Sequence, residues 1–159
     1  MSERRRARII TVLNQKGGVG KSTLAFNIAQ AAADFGKRGK PAKVLCQDLD
    51  SQGDFSQYLT GDLEIAKKTK TGVGLFLEGQ EWTPMATSHP NIDLLHGHRK
   101  LDRYDRDGPT EDRLLDESWR EHMRGLDYDY IVIDTPPAAG IRQIGPLCWA
   151  DVAVIPIEP

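Results

Sequence analysis

The chain has 159 residues, 39% of them hydrophobic and 28% charged, with a formal net charge of −2. A chain of this size and ordinary globular composition has room for one domain, burying roughly 70% of its unfolded surface. The near-neutral charge gives no whole-chain case for nucleic-acid binding; no apolar run approaches the roughly 18 residues of a membrane span, and the N-terminus lacks a secretory apolar region.

Residues 1–8 carry Arg4, Arg5, Arg6 and Arg8, a short basic arm expected to be solvated and able to meet a phosphate backbone or a partner. An apolar run over 9–14 reads as the first strand, without the alternation of a half-exposed one. A helix is expected from about Ser22 to Phe35, with Leu24, Ile28, Ala31, Ala32 and Phe35 as its apolar stripe and Gly36 as its C-cap. Gly39-Lys40-Pro41 is a turn, Ala42–Gln47 a second strand ending at Asp48, and a short helix follows the polar stretch 48–54 through about Leu59. Residues 60–91 read less clearly: Lys67, Lys68 and Lys70 make a small basic patch, and Gly74–Leu77 can begin a helix. Ile92–His96 reads as a strand and 97–109 as a loop. Glu111–Arg124 forms an amphipathic helix with Leu114, Leu115, Trp119 and Met123 on one side. Tyr128–Ile133 is a strand ending at Asp134 and broken by Thr135-Pro136-Pro137; a helix over Ile141–Ala150 and a strand over Val152–Ile157 complete the chain. Alternating strands and helices imply an α/β fold, a doubly wound and mostly parallel sheet. Cys46 and Cys148 lie far apart beside apolar segments, so buried reduced thiols are expected rather than a disulfide or metal site, consistent with a cytoplasmic protein.

The chemistry gathers where strands end. Between the first strand and helix stands Asn14-Gln15-Lys16-Gly17-Gly18-Val19-Gly20-Lys21-Ser22-Thr23. Glycines bring backbone N–H groups close to an anion, and the following helix aims its N-terminal dipole at the same place. Lys21 supplies charge for β- and γ-phosphates, and the Ser22 hydroxyl is placed to ligate Mg²⁺. The pattern G-x-x-x-x-G-K-[ST] is imperfect: its first glycine falls on Gln15, and Lys16 adds a second lysine. Asp134, an acid after an apolar strand, is the second half of a nucleotide-triphosphatase site, holding Mg²⁺ directly or through water. Asp48 and Asp50, two apart, share one face if the chain stays extended. One of them can then organise Mg²⁺-bound water while the other orients the attacking water.

Three motifs, Asn14–Thr23, Asp48-Leu49-Asp50-Ser51-Gln52-Gly53 and Tyr128–Pro137, together resemble the ParA/Soj plasmid and chromosome partitioning ATPases, of the deviant Walker A group of P-loop proteins. The stretch Ala150–Pro156 is similar to the family strand that follows, while 60–127 matches only in outline. The resemblance implies a P-loop ATPase domain over 9–159 that binds ATP and Mg²⁺ and dimerises with ATP. Lys16 would reach across to the partner's phosphates, and Lys21 would bind the β/γ-phosphates. Ser22 would ligate Mg²⁺, with Asp134 holding it through water; an outer-shell place for Asp48 comes from the spacing of the two acids alone. Thr23 would contact the α-phosphate, and residues 16–23 (Lys16, Gly17, Gly18, Val19, Gly20, Lys21, Ser22, Thr23) would form the nucleotide cradle. Asp50 would position the hydrolytic water, making Asp50, Lys16 and Lys21 the catalytic set. It further implies slow hydrolysis, non-specific DNA binding by the ATP dimer, a ParB-type activating partner, and a cytoplasmic, nucleoid-associated site of action without a membrane contact. Ser51 stands where the family has Pro, a mild change in loop rigidity. The family runs on for about a hundred residues beyond Pro159, in line with the usual size of a doubly wound domain. A truncated piece is therefore expected, lacking the adenine contacts and much of the DNA surface. The alternatives are a MinD-like membrane-positioning ATPase, which needs a C-terminal amphipathic helix, and a non-hydrolysing scaffold. An electron carrier of the nitrogenase-reductase kind is rejected, because neither cysteine is placed to hold a cluster.

Overall fold

The computed structural model describes residues 6–67, 81–105 and 117–157, apart from the side chains of residues 118 and 119. Its elements run β1 (Arg8–Val12), α1 (Lys21–Phe35), β2 (Val44–Asp48), α2 (Asp54–Thr60), β3 (Met85–Ala86), β4 (Ile92–Leu95), α3 (Glu117–Arg124), β5 (Tyr130–Asp134), α4 (Ile141–Trp149) and β6 (Val152–Val154), with 3-10 turns at Ile65–Lys67 and Arg99–Asp105. The expectations for Arg4, Arg5, Lys68, Lys70, Gly74–Leu77, Leu114 and Leu115, and for the side chain of Trp119, lie outside the described residues.

Six strands form one sheet in the order β3-β4-β2-β5-β1-β6. All pairings are parallel except that of β3 with β4. The expected doubly wound, mostly parallel α/β architecture is present. The central strands explain it: every residue of β2 is buried, as are Ile131–Asp134 of β5. A strand covered on both faces reads as a continuous apolar run. Period-two alternation then splits the core. Leu45, Ile131 and Ile133 face one layer with Met123 of α3 and Ile141 and Trp149 of α4. Val44, Cys46 and Val132 face the other, with the alanines of α1 and with Phe55 and Leu59 of α2.

Several local expectations are corrected. Of the expected α1 stripe, Ala32 is buried and Leu24 and Ile28 are half-buried against the core, whereas Ala31 and Phe35 are exposed; Ala25, Ala29 and Ala33 complete the buried face. Small side chains let the helix sit close on the sheet, so they outcompete the larger ones for the inner face. Gly36 caps α1 with ordinary right-handed angles, its N–H donating to the Ala32 carbonyl; a Cβ there would lie 2.7 Å from the Tyr130 ring and 2.5 Å from the Ala32 carbonyl oxygen. Glycine is required there by crowding, not by backbone handedness. The 97–109 loop contains the 3-10 turn Arg99–Asp105, with Leu101 and Tyr104 buried. Strand β3 had no sequence signal. Cys46 is buried, as expected, but Cys148 is exposed on α4. Strand β6 ends at Val154, three residues earlier than expected. Among the described residues no helix is long and apolar enough to cross a membrane.

Adding one methyl at the crowded α1–β5 contact should cost stability without touching the strand ends where chemistry gathers. Gly36→Ala should lower the unfolding free energy by about 1–3 kcal/mol, measured by urea denaturation; an unchanged midpoint would mean that Tyr130 moves aside freely.

Candidate functional site

Parallel strands deliver their carboxyl ends to one edge of the sheet, and the loop after β1 is anchored there. The Leu13 N–H donates to the Val154 carbonyl at 3.0 Å, and Asn14 Nδ2 to the Pro156 carbonyl at 2.7 Å. Asn14 Oδ1 in turn accepts from the Lys16 N–H at 2.8 Å. Gly18 and Gly20 take left-handed angles, φ 77° and 81°, which an L side chain adopts only with strain. Helix α1 starts at Lys21 with no side-chain cap and no acid in its first turn. Its N-terminal N–H groups and dipole are thus left for an anion from outside. Lys21 is buried, and its Nζ donates to the Lys16 carbonyl at 3.1 Å. Lys16, Gly17, Gly18, Gly20 and Thr23 are exposed and Val19 is half-buried. The lysine expected to meet phosphate is thus folded against its own loop.

Asp134 closes β5 with no exposure, and its Oδ2 accepts from Ser22 Oγ at 2.6 Å. Its other oxygen, Oδ1, is buried with no hydrogen-bond partner among the described residues. Burial, and then the charge of Asp48, push the Asp134 pKa well above the usual carboxylate range, with the Ser22 bond pulling back. Asp48 stands opposite Asp134 in the β2–β5 register. Burial raises its pKa to about 7, although its oxygens are well served. Oδ2 accepts from the Ser56 N–H at 2.9 Å and from Ser56 Oγ at 2.6 Å, and Oδ1 accepts from the Asp50 N–H at 3.1 Å.

That last bond corrects the idea that the extended chain carries both acids to one face. β2 ends at Asp48, the bond closes a turn, and Asp50 is only partly buried, accepting from the Gln52 N–H at 3.0 Å. Burial raises the Asp50 pKa too. Asp48 therefore organises the turn that presents Asp50. The structure brings Lys16, Lys21 and the glycines onto one loop and Ser22 onto Asp134.

The donor set suits one kind of metal. Among the described residues no three His, Cys, Asp or Glu side chains gather into a cage. A hydroxyl beside an orphaned buried carboxylate oxygen fits Mg²⁺, which keeps several waters and takes its remaining ligands from phosphates. Three contributors had no sequence signal of their own. Ser56 holds Asp48, Gly97 donates its N–H to Ser56 Oγ at 2.9 Å, and Arg142 donates to the Leu49 carbonyl at 2.9 Å, one residue before Asp50. Gly97 and Arg142 lie far along the chain from the motif they serve, and Ser56 lies one helix turn beyond it.

Comparison with known proteins places the chain and its fold. Residues 7–159 match a family model described as an AAA domain. The sporulation initiation inhibitor protein Soj of Bacillus subtilis is 32% identical over 160 residues, covering 95% of this chain and 58% of that protein. The chromosome partitioning protein ParA of Myxococcus xanthus is also 32% identical, covering 95% of this chain and 52% of that protein. A plasmid partition protein of Borrelia burgdorferi, solved bound to AMPPNP, superimposes with a TM-score of 0.76 at 28% identity, covering 96% of this chain and 63% of that one. The chain thus spans little more than half the length of these curated relatives.

The raised pKa values carry a sign. Unfolded carboxyls titrate near about 4, and a group whose folded pKa is higher contributes stability below that point and loses it as pH rises toward the folded value. For Asp48 the loss runs from about pH 4 to about 7, and Asp134 extends it in the same direction. Asp134→Asn keeps an acceptor for Ser22 and removes one buried charge. In the ligand-free protein it should raise the thermal midpoint at pH 8 and flatten the decline above pH 4, as followed by circular dichroism. Equal slopes in the two proteins would contradict the placement of that charge.

Proposed function

The chain belongs to the AAA domain family, among its ParA/Soj-type P-loop members, and from that premise we propose that it is an ATP-binding, slowly hydrolysing partitioning ATPase that dimerises with ATP and acts in plasmid or chromosome segregation. The observation that carries the reading is the joined loop and strand end: Ser22 Oγ on Asp134, with an orphaned carboxylate oxygen beside it. A helix N-terminus with neither cap nor acid lies at the same place. A triphosphate with a divalent cation satisfies all three at once.

In this reading residues 16–23 wrap the phosphates with backbone N–H groups. Lys21 leaves the Lys16 carbonyl for the β/γ-phosphates, and Thr23 reaches the α-phosphate. Ser22 and, through water, Asp134 hold Mg²⁺, whose role is to offset charge building on the phosphate oxygens. Asp48 keeps the Asp50 turn in place, and Asp50 orients the attacking water in line with the leaving oxygen. Such chemistry asks for positioning and charge stabilisation more than for a strong base. Lys16, exposed at the loop tip, reaches the phosphates of a second copy, so ATP serves as the dimer's glue. Non-specific DNA, a ParB-type activator and a cytoplasmic, nucleoid-associated setting belong to the same proposal. Soj and ParA relatives support this proposal, whereas a non-hydrolysing scaffold draws support from no particular contact.

Turnover and sedimentation in Mg²⁺-ATP separate the roles. Lys21→Ala should lose nucleotide binding, and Asp50→Ala should bind but turn over about 100-fold or more slowly. Lys16→Ala should keep most of its nucleotide affinity while losing ATP-dependent association. The same background turnover in the parent and all three variants would favour the scaffold, and an unchanged dimer fraction in Lys16→Ala would sink the sandwich.

A further inference from the structure

Arg142, the second residue of α4, is 2% exposed. A guanidinium so placed must find acceptors for its fork of donors. Nε and Nη2 both donate to Asp105 Oδ2, at 3.0 and 2.6 Å, and Nη2 also reaches Asp102 Oδ1 at 2.9 Å. Nη1 donates to the Leu49 carbonyl at 2.9 Å. One side chain therefore joins the turn that presents Asp50, the 3-10 turn Arg99–Asp105 and the start of α4.

A second fastening lies beside it. The Gly97 N–H is held by Ser56 Oγ, which itself donates to Asp48. A Cβ at Gly97 would stand 2.5 Å from the Asp50 carbonyl oxygen. Backbone lies on backbone here with no room for a methyl. The Asp50 turn thus cannot shift toward a bound phosphate without disturbing residues 97–105 or breaking the Arg142 bond to Leu49. Packed interiors pass on small displacements instead of absorbing them. The Arg142 charge also acts on Asp50, opposing the effect of burial on that carboxyl.

We propose that Arg142 is a positioning residue for the Asp50 turn and couples occupancy of the phosphate loop to the segment 97–105. The proposal rests on the reading of residues 14–23 as a nucleotide cradle. The segment's buried Leu101 and Tyr104 grip the core, while Arg99 and Lys100 are exposed. Nucleotide state is in this way presented at a surface remote in sequence from the loop. A mere staple between α4 and the 3-10 turn would change stability on removal but not the response to nucleotide.

Hydrogen exchange read by mass spectrometry on the whole chain, with and without AMPPNP and Mg²⁺, tests this. In the parent protein, nucleotide should slow exchange over 14–23 and alter it over 97–105. Arg142→Met, similar in length but unable to donate, should keep the first effect and lose the second. Arg142→Lys should recover part of it, because an ammonium still reaches the carboxylates. If circular dichroism shows Arg142→Met unfolded, Asp102→Asn, at the half-exposed partner, takes its place and should weaken the 97–105 response. A parent protein protected at 14–23 but silent at 97–105 would overturn the coupling, as would a variant responding like the parent. No recovery in Arg142→Lys would ascribe the loss to packing and overturn the positioning role. Absence of protection at 14–23 would instead overturn the nucleotide reading on which the proposal stands.

Discussion

Asp48 and Asp134 face each other across the β2–β5 register, both without solvent exposure. Two carboxylates in that position cannot both ionise cheaply, because burial and mutual repulsion act in the same direction. Much of the surrounding structure answers that constraint. Ser56 gives Asp48 two donors, and Ser22 gives Asp134 one. The last oxygen, Asp134 Oδ1, is left without a partner, which is the position a hydrated cation would relieve. The site is therefore strained in an electrostatic sense before any ligand arrives, and a ligand bringing positive charge stabilises it.

The ends of β1, β2 and β5 are also tied to one another. Leu49 N–H donates to the Asp134 carbonyl at 2.9 Å, and Thr135 Oγ1 donates to the Val12 carbonyl at 2.9 Å. Three strand ends are thus cross-bonded just beyond the sheet. Behind them Arg142, itself buried, collects Asp102, Asp105 and the Leu49 carbonyl. Buried ion pairs often add little net stability, so this one is better understood as fixing geometry. For the phosphoryl transfer proposed above geometry counts, since a small misplacement of a water-orienting group costs rate.

Some of this was legible from residues alone. The lysine-glycine run 14–23 marked a turn between an apolar strand and a helix, and Asp134 after Ile131-Val132-Ile133 marked an acid at a strand end, and both stand where expected. Apolar runs at strand spacing, separated by helical stretches, stated the parallel sheet. Other features were hidden for definite reasons. Two-residue β3 is too short to show alternation. The inner face of α1 is alanine, which carries little hydrophobic contrast with the larger residues beside it. The 3-10 turn at Arg99–Asp105 is a charged stretch whose inward residues, Leu101 and Tyr104, give a weak period. Cys148 sits in an apolar stretch yet faces outward, because α4 buries Ile141, Gly145 and Trp149 instead.

By itself the sequence determined the glycine-rich loop after β1, the order of the strands other than β3 and of the helices between them, and the acids at the strand ends, because those depend on local pattern: glycine where the backbone must turn left-handed, apolar runs where a strand is covered twice, acids where it emerges. Only the tertiary structure decided how the acids differ in burial and bonding. Register set Asp48 against Asp134 and gave Asp48 to Ser56, leaving Asp50 as the partly exposed carboxylate beside the loop. It also brought Gly97 and Arg142, 41 and 93 residues from their partners Ser56 and Leu49, onto the turn that presents Asp50. Such contacts follow from how layers stack over a sheet, and no spacing along the chain encodes them.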